Sequence, residues 1–228
     1  MITLLKRVAF SGIDRWTKPK DALALYQQYP FVEFVYLLSE SQKAGNRYPR
    51  PVILKAYQKL KIPMAMHLCG KIAIELIHTN DWKPVHDMLG KSWDLFERIQ
   101  LNIPKTKHFS RELTLPADKS IIIQLHEGTN EFFQHYKHLP NVQGFQDASG
   151  GRGIVNTEWM EPQTEFFGYA GGIGPDNVVS AVKAISEVCE GDFWIDMETS
   201  IRTNDKFDVQ KCRRVCEALV KAGLISAK

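Results

Sequence analysis

The chain has 228 residues, 44% of them apolar and 24% charged, which is enough for one sizeable core and places it in the size range of single-domain barrels. A net charge of +3 and a pI near 8.6 arise from scattered Lys and Arg, not from a basic block, so the clustered footprint of a nucleic-acid binder is absent. No apolar run approaches the ~20 residues of a membrane span, and the start MITLLKRVAF lacks a cleavage site, which together point to a cytoplasmic protein.

In chain order, short runs rich in Val, Ile and Phe fall at 5–11, 31–38, 63–69, 96–102, 119–126, 141–147, 165–171 and 192–198. Helix-period segments lie between most of them, the pattern of a parallel sheet made of βαβ units. Eight such runs, starting every 22 to 33 residues, predict one (β/α)8 barrel spanning 1–228. Residues 39–50 read as a long loop, 52–60 and 71–77 as helices, and 103–116 as an irregular crossover between prolines. After Gly174 a helix is expected with Pro175 near its first position and Val178, Val182, Ile185 and Cys189 along one face. A last helix should run from Asp208 to Ala222 and stop at Gly223.

The four cysteines, Cys69, Cys189, Cys212 and Cys216, are too sparse and irregular for a secreted disulfide framework and read as reduced thiols. Cys212 and Cys216 share the apolar stripe of the last helix and are assigned to the core rather than to a metal.

Chemistry in such a barrel comes from strand C-termini and the loops that follow them. AGGIGPDNV (170–178) reads as an anion cradle, because Gly171, Gly172 and Gly174 let the backbone approach a ligand and the next helix start offers N–H donors. Thr199 and Ser200 after strand eight complete it, with Glu198 as a discordant carboxylate. Asp147, at the end of strand six before a glycine-rich loop, is a candidate general acid. The implied partner is a small phosphorylated metabolite, with no cofactor, metal, nucleic acid or membrane, and the oligomeric state is not readable.

VAFSGID (8–14), NRYPRP (46–51), QDASGGRG (146–153), AGGIGPDNV and WIDMETSIR (194–202) resemble, in order and spacing, the motifs of the phosphoribosylanthranilate isomerase family of tryptophan biosynthesis. The resemblance implies an aldose–ketose isomerase of the Amadori type. Asp147 would protonate the ring oxygen, Arg47 would meet the substrate carboxylate, and Gly171, Gly172, Thr199 and Ser200 would hold the phosphate.

The family's base is a Cys where this chain has Ser11, and a neutral hydroxyl is a far weaker base near pH 7. His67 and His126, at strand ends, and Asp14 are the alternatives. Glu198 and Arg152 also depart from the family pattern and suggest a ligand end of altered charge. MHLC around His67 is similar to a segment of ribulose-phosphate 3-epimerase, but Tyr36, Leu38 and Ala170 stand where that family needs metal ligands. The alternative function is a non-catalytic barrel that binds a phosphometabolite or a partner with a decayed isomerase site.

Overall fold

A computed structural model describes residues 4–40, 47–103, 108–147, 156 and 158–227. Eight parallel strands, β1 (Leu5–Ser11), β2 (Val32–Leu38), β3 (Met64–Cys69), β4 (Phe96–Asn102), β5 (Ser120–Leu125), β6 (Val142–Asp147), β7 (Phe167–Ala170) and β8 (Phe193–Met197), close into a barrel in which β1 pairs with both β2 and β8. The helices are α1 (Pro19–Gln28), α2 (Leu54–Gln58), α3 (Lys71–Thr79), α4 (Lys83–Leu89), α5 (Asn130–Tyr136), α6 (Val178–Val188) and α7 (Val209–Lys221). Among the described residues no helix is long and apolar enough to cross a membrane.

The eight expected strands are all present, β7 being trimmed to four residues. Three helices had no reading in the sequence: α1, whose mean hydropathy is close to neutral, and the two-turn α4 and α5. The described part of the β4–β5 crossover, 108–116, carries neither helix nor strand. One expectation is corrected. Pro175 lies in a turn and the helix begins three residues later, because the Gly174 N–H donates to Asn177 Oδ1 (2.7 Å) and Asn177 Nδ2 donates to the Gly172 carbonyl (2.9 Å), folding 172–177 back on itself.

Helix α7 shows how its sequence sets its face. Asp208 caps it by accepting from the Gln210 and Lys211 N–H groups, while Cys212, Val215, Cys216 and Leu219, spaced i, i+3, i+4, i+7, are all buried against the barrel. Burying an aliphatic side chain of this size stabilises by about 1.5–3 kcal/mol. The two cysteines are therefore core residues, and Gly223 ends the helix in the left-handed region at φ +66°.

Alternate strand residues point to the barrel axis and stack in layers. At the closed end Glu33 accepts from Arg98 (2.7 Å) and Arg7 (2.6 Å), and Arg98 also reaches Gln143 Oε1 (3.0 Å). The middle layer is apolar, with Ala9, Val35, Ala65, Ile122, Phe145 and Trp194 clustered and the Phe145 and Trp194 rings stacked at 4.9 Å. Above it comes a polar layer that opens to solvent at the strand C-termini: Ser11, His67, Gln100, Gln124, Asp147 and Asp196.

Gly168 makes the middle layer possible. A Cβ there would lie 2.2 Å from the Trp194 ring and 2.7 Å from Phe145. Gly168→Ala is expected to unstack that pair and cost about 1–3 kcal/mol, a drop in Tm of about 2–4 °C per kcal/mol by calorimetry.

Candidate active site

The polar layer opens into a cavity of about 460 Å³ at the C-terminal mouth. Its described lining includes Arg47, Tyr48, His67, Gln100, Asn102, Asp147, Gly171, Gly172, Asp196, Glu198, Thr199 and Ser200. These residues come from six separate stretches of the chain, and the sequence-predicted Asp147, Arg47, His67, Gly171, Gly172, Thr199 and Ser200 meet there. Arg152 lies outside the described residues.

Ser11 is fully buried and does not line the cavity. Its Oγ donates to Asp196 Oδ1 at 2.5 Å, so it reaches a ligand only through that carboxyl. Burial pushes the Asp196 carboxyl well above the usual carboxylate range; the Ser11 hydrogen bond opposes this, and the nearby Glu198, Asp147 and Glu33 charges add to it.

That shift fixes a pH dependence. A carboxyl whose folded pKa is raised contributes stability that is full below its unfolded pKa and is lost as pH rises from about 3.9 towards the folded value. Asp196→Asn should therefore flatten the fall in Tm above pH 4 and raise Tm at pH 7, readable by calorimetry across pH.

Asp147 is half-buried, and Gln124 Nε2 donates to its carbonyl (3.1 Å) and to its Oδ2 (3.4 Å), which fixes the carboxyl in the mouth that Asp196 also lines. His67 is enclosed, and burial, helped by the Arg98 charge, holds its pKa down to about 3. At neutral pH it is an uncharged imidazole of low basicity, poorly suited to the proton-abstracting role the sequence left open for it. Cys69, the thiol nearest the site, is likewise pushed up to about 11 by burial and stays protonated.

Two other candidate bases are corrected. His126 is not among the residues lining the cavity: its Nδ1 accepts from the Gly128 N–H (3.0 Å) and its Nε2 lies 3.1 Å from the Ile103 carbonyl, so its ring fastens the loop after β5 to the segment after β4. Asp14 is fully buried, paired with Arg202 at 2.8 Å and accepting from the Trp16, Thr17 and Phe207 N–H groups. It ties the loop after β1 to the one after β8.

At the anion cradle, Gly171 and Gly172 sit at φ +122° and +65°, backbone that side chains rarely adopt. Ser200 Oγ donates to the Ile173 carbonyl at 2.5 Å, joining the loops after β7 and β8, and a Cβ on Gly174 would come within 2.6 Å of Ser200 Cβ. The Ser200 hydroxyl is thereby committed to the protein.

Arg47 is also engaged: Nη1 donates to Glu198 Oε1 (2.7 Å) and Thr199 Oγ1 (3.3 Å), and Nε lies 3.4 Å from Asp205. The discordant Glu198 of the sequence is thus charge-paired with the very residue expected to meet a substrate carboxylate. Sequence reasoning missed Asp196 as Ser11's partner, and with it Gln100 and Gln124. The signal for the last two was the polar residue at alternate positions of apolar strands, as in RIQLN and SIIIQL, which in a closed barrel marks the axis-facing side.

No family model matches the chain, and no curated protein sequence does. Among solved structures, the monomeric form of the dimeric phosphoribosylanthranilate isomerase of Thermotoga maritima superposes with a TM-score of 0.59 at 16% identity, over 92% of this chain and 96% of that one. Another structure of the T. maritima isomerase gives 0.57 at 16% identity, over 94% and 98%. A phosphoribosylanthranilate isomerase in complex with reduced 1-(o-carboxyphenylamino)-1-deoxyribulose 5-phosphate gives 0.53 at 14%, over 92% and 96%. At such identities the likeness is one of fold, and it extends along almost the whole of each chain.

Proposed function

We propose that this barrel catalyses an acid–base isomerisation of the phosphoribosylanthranilate isomerase type on a phosphorylated sugar amine or a related phosphosugar. The observation that carries the reading is the 2.5 Å Ser11–Asp196 hydrogen bond in the same mouth as Asp147: two carboxyls face one space, one of them more basic than usual through burial.

In this reading Asp147 is the general acid at the furanose ring oxygen, whose protonation opens the ring to an imine at C1. Asp196, in the ionised fraction that its raised pKa leaves, then takes the C2 proton, and the resulting enolamine tautomerises to the amino-ketose. Atoms and electrons balance within the substrate, and no cofactor is required. Ser11 acts as a positioning residue that holds Asp196, in place of a thiolate base. The Gly171 and Gly172 backbone, with Thr199 and Ser200, would receive the phosphate, while Arg152 remains a candidate contact for the rest of the ligand.

Turnover of phosphoribosylanthranilate and of phosphoribosyl amines, followed spectroscopically and by NMR, tests this. Wild type and Ser11→Cys are both expected to show product from at least one of the phosphoribosyl amines, and Asp196→Asn from none. If neither wild type nor Ser11→Cys turns over any of them, the assignment fails.

A second reading, a phosphometabolite-binding barrel without catalysis, is favoured by the commitment of Arg47, the residue expected to meet the substrate carboxylate, to Glu198 within the protein. It predicts stabilisation by phosphosugars without turnover and without dependence on Asp147.

A further inference from the structure

The floor of the cavity holds two polar atoms with no use inside the protein. His67 Nδ1 and Gln100 Oε1 are buried and have no hydrogen-bond partner among the described residues. The two residues are register neighbours on β3 and β4, 3% and 2% exposed, and both line the mouth. Gln100 Nε2 is fixed by donation to Asn102 Oδ1 at 3.0 Å, which leaves its carbonyl oxygen turned the other way. Buried polar atoms are nearly always satisfied, because an unsatisfied one forfeits its hydration without return. Two such atoms side by side in one cavity amount to a complementary surface whose partner arrives with the ligand.

The charges around them narrow the partner. The described lining carries the carboxyls Asp147, Asp196 and Glu198 against one cation, Arg47, which is already bonded to Glu198. A carboxylate on the ligand finds no unengaged cation in the described lining, whereas hydroxyl or amine groups would supply donors to Gln100 Oε1 and to the imidazole.

We infer that His67 and Gln100 are specificity-determining residues that hydrogen-bond the hydroxyls of a non-carboxylated sugar phosphate at the cavity floor. The inference rests on the mouth being the ligand site proposed above, but it concerns binding and stands whether or not turnover occurs. His67 suits the task because it is neutral near pH 7 and offers one N–H and one lone pair.

Titration calorimetry on the full chain, with ribose 5-phosphate, 3-phosphoglycerate and inorganic phosphate as probes, tests it together with thermal melts of His67→Phe and Gln100→Met. Wild type is expected to bind ribose 5-phosphate at least ten-fold tighter than the other two. Each variant should lose about that factor for ribose 5-phosphate while its affinity for inorganic phosphate stays within two-fold. Each should also melt higher than wild type without ligand, since an apolar replacement removes an unsatisfied group; a purely structural role predicts the reverse.

The inference is overturned if wild type binds ribose 5-phosphate no better than inorganic phosphate, or if both variants bind it as wild type does. It is overturned equally if both melt lower. Should one variant fail to fold, the other decides. Binding that depends on His67 and Gln100 without any turnover would overturn the isomerase reading alone.

Discussion

Asp147→Asn is expected to lower turnover by about 10²–10⁴-fold, the usual worth of a positioned proton donor, while leaving the fold intact. An amide of the same shape keeps the contact with Gln124 Nε2 through its own oxygen, and the Asp147 carbonyl continues to accept from the same group. What it removes is the acid group assigned to the ring oxygen. The loss should fall on kcat, with the binding of sugar phosphates within a few-fold of wild type, because the cradle at Gly171 and Gly172 is built by other strands. Steady-state kinetics beside a calorimetric binding curve separates the two quantities. An unchanged kcat would remove Asp147 from the chemistry.

The largest effect on stability is expected at the other end of the barrel. Glu33→Leu leaves the Arg98 guanidinium buried with only the Gln143 carbonyl oxygen facing it. Burial already holds the Arg98 pKa down to about 10, with Glu33 as the main opposing influence. Removing one partner of a buried pair costs about 3–5 kcal/mol, whereas replacing both by apolar residues of similar volume is often neutral or stabilising. For a chain of this size the single variant should melt about 6–20 °C lower. The double variant Glu33→Leu/Arg98→Met should recover most of the loss. A double variant no better than the single one would mean that the cluster matters for packing around Trp194, whose ring lies 4.1 Å from the guanidinium, more than for charge balance.

The barrel was legible in the sequence because its signals are local and repeated. Runs such as FVEFVYLL and KSIIIQLH state the strands through their own composition, and the glycines at 171–174 mark a close approach of backbone. Helices α4 and α5 escaped because seven residues give too few turns for a 3.6-residue period to stand out.

The site was legible in its membership and not in its pairings. Asp147, Arg47 and the cradle residues were found from strand ends, but Ser11 and Asp196 are 185 positions apart, and Arg47 and Glu198 are 151 apart. Nothing in either segment announces its partner. His126 misled for the same reason: a histidine at a strand end is equally placed to face the mouth or to fasten its own loop, and only the Gly128 and Ile103 contacts decide.

The ion cluster beneath the Trp194–Phe145 stack reaches further than its contacts. The Arg98 charge is felt at His67, and that of Glu33 at Asp196, although no ligand in the mouth can touch either residue. The sealed end of the barrel thus acts as a fixed electrostatic bias on the open end. Substitutions there are expected to shift proton affinities at His67 and Asp196. A variant of this chain with a displaced pH optimum is therefore to be sought first among residues that solvent never meets.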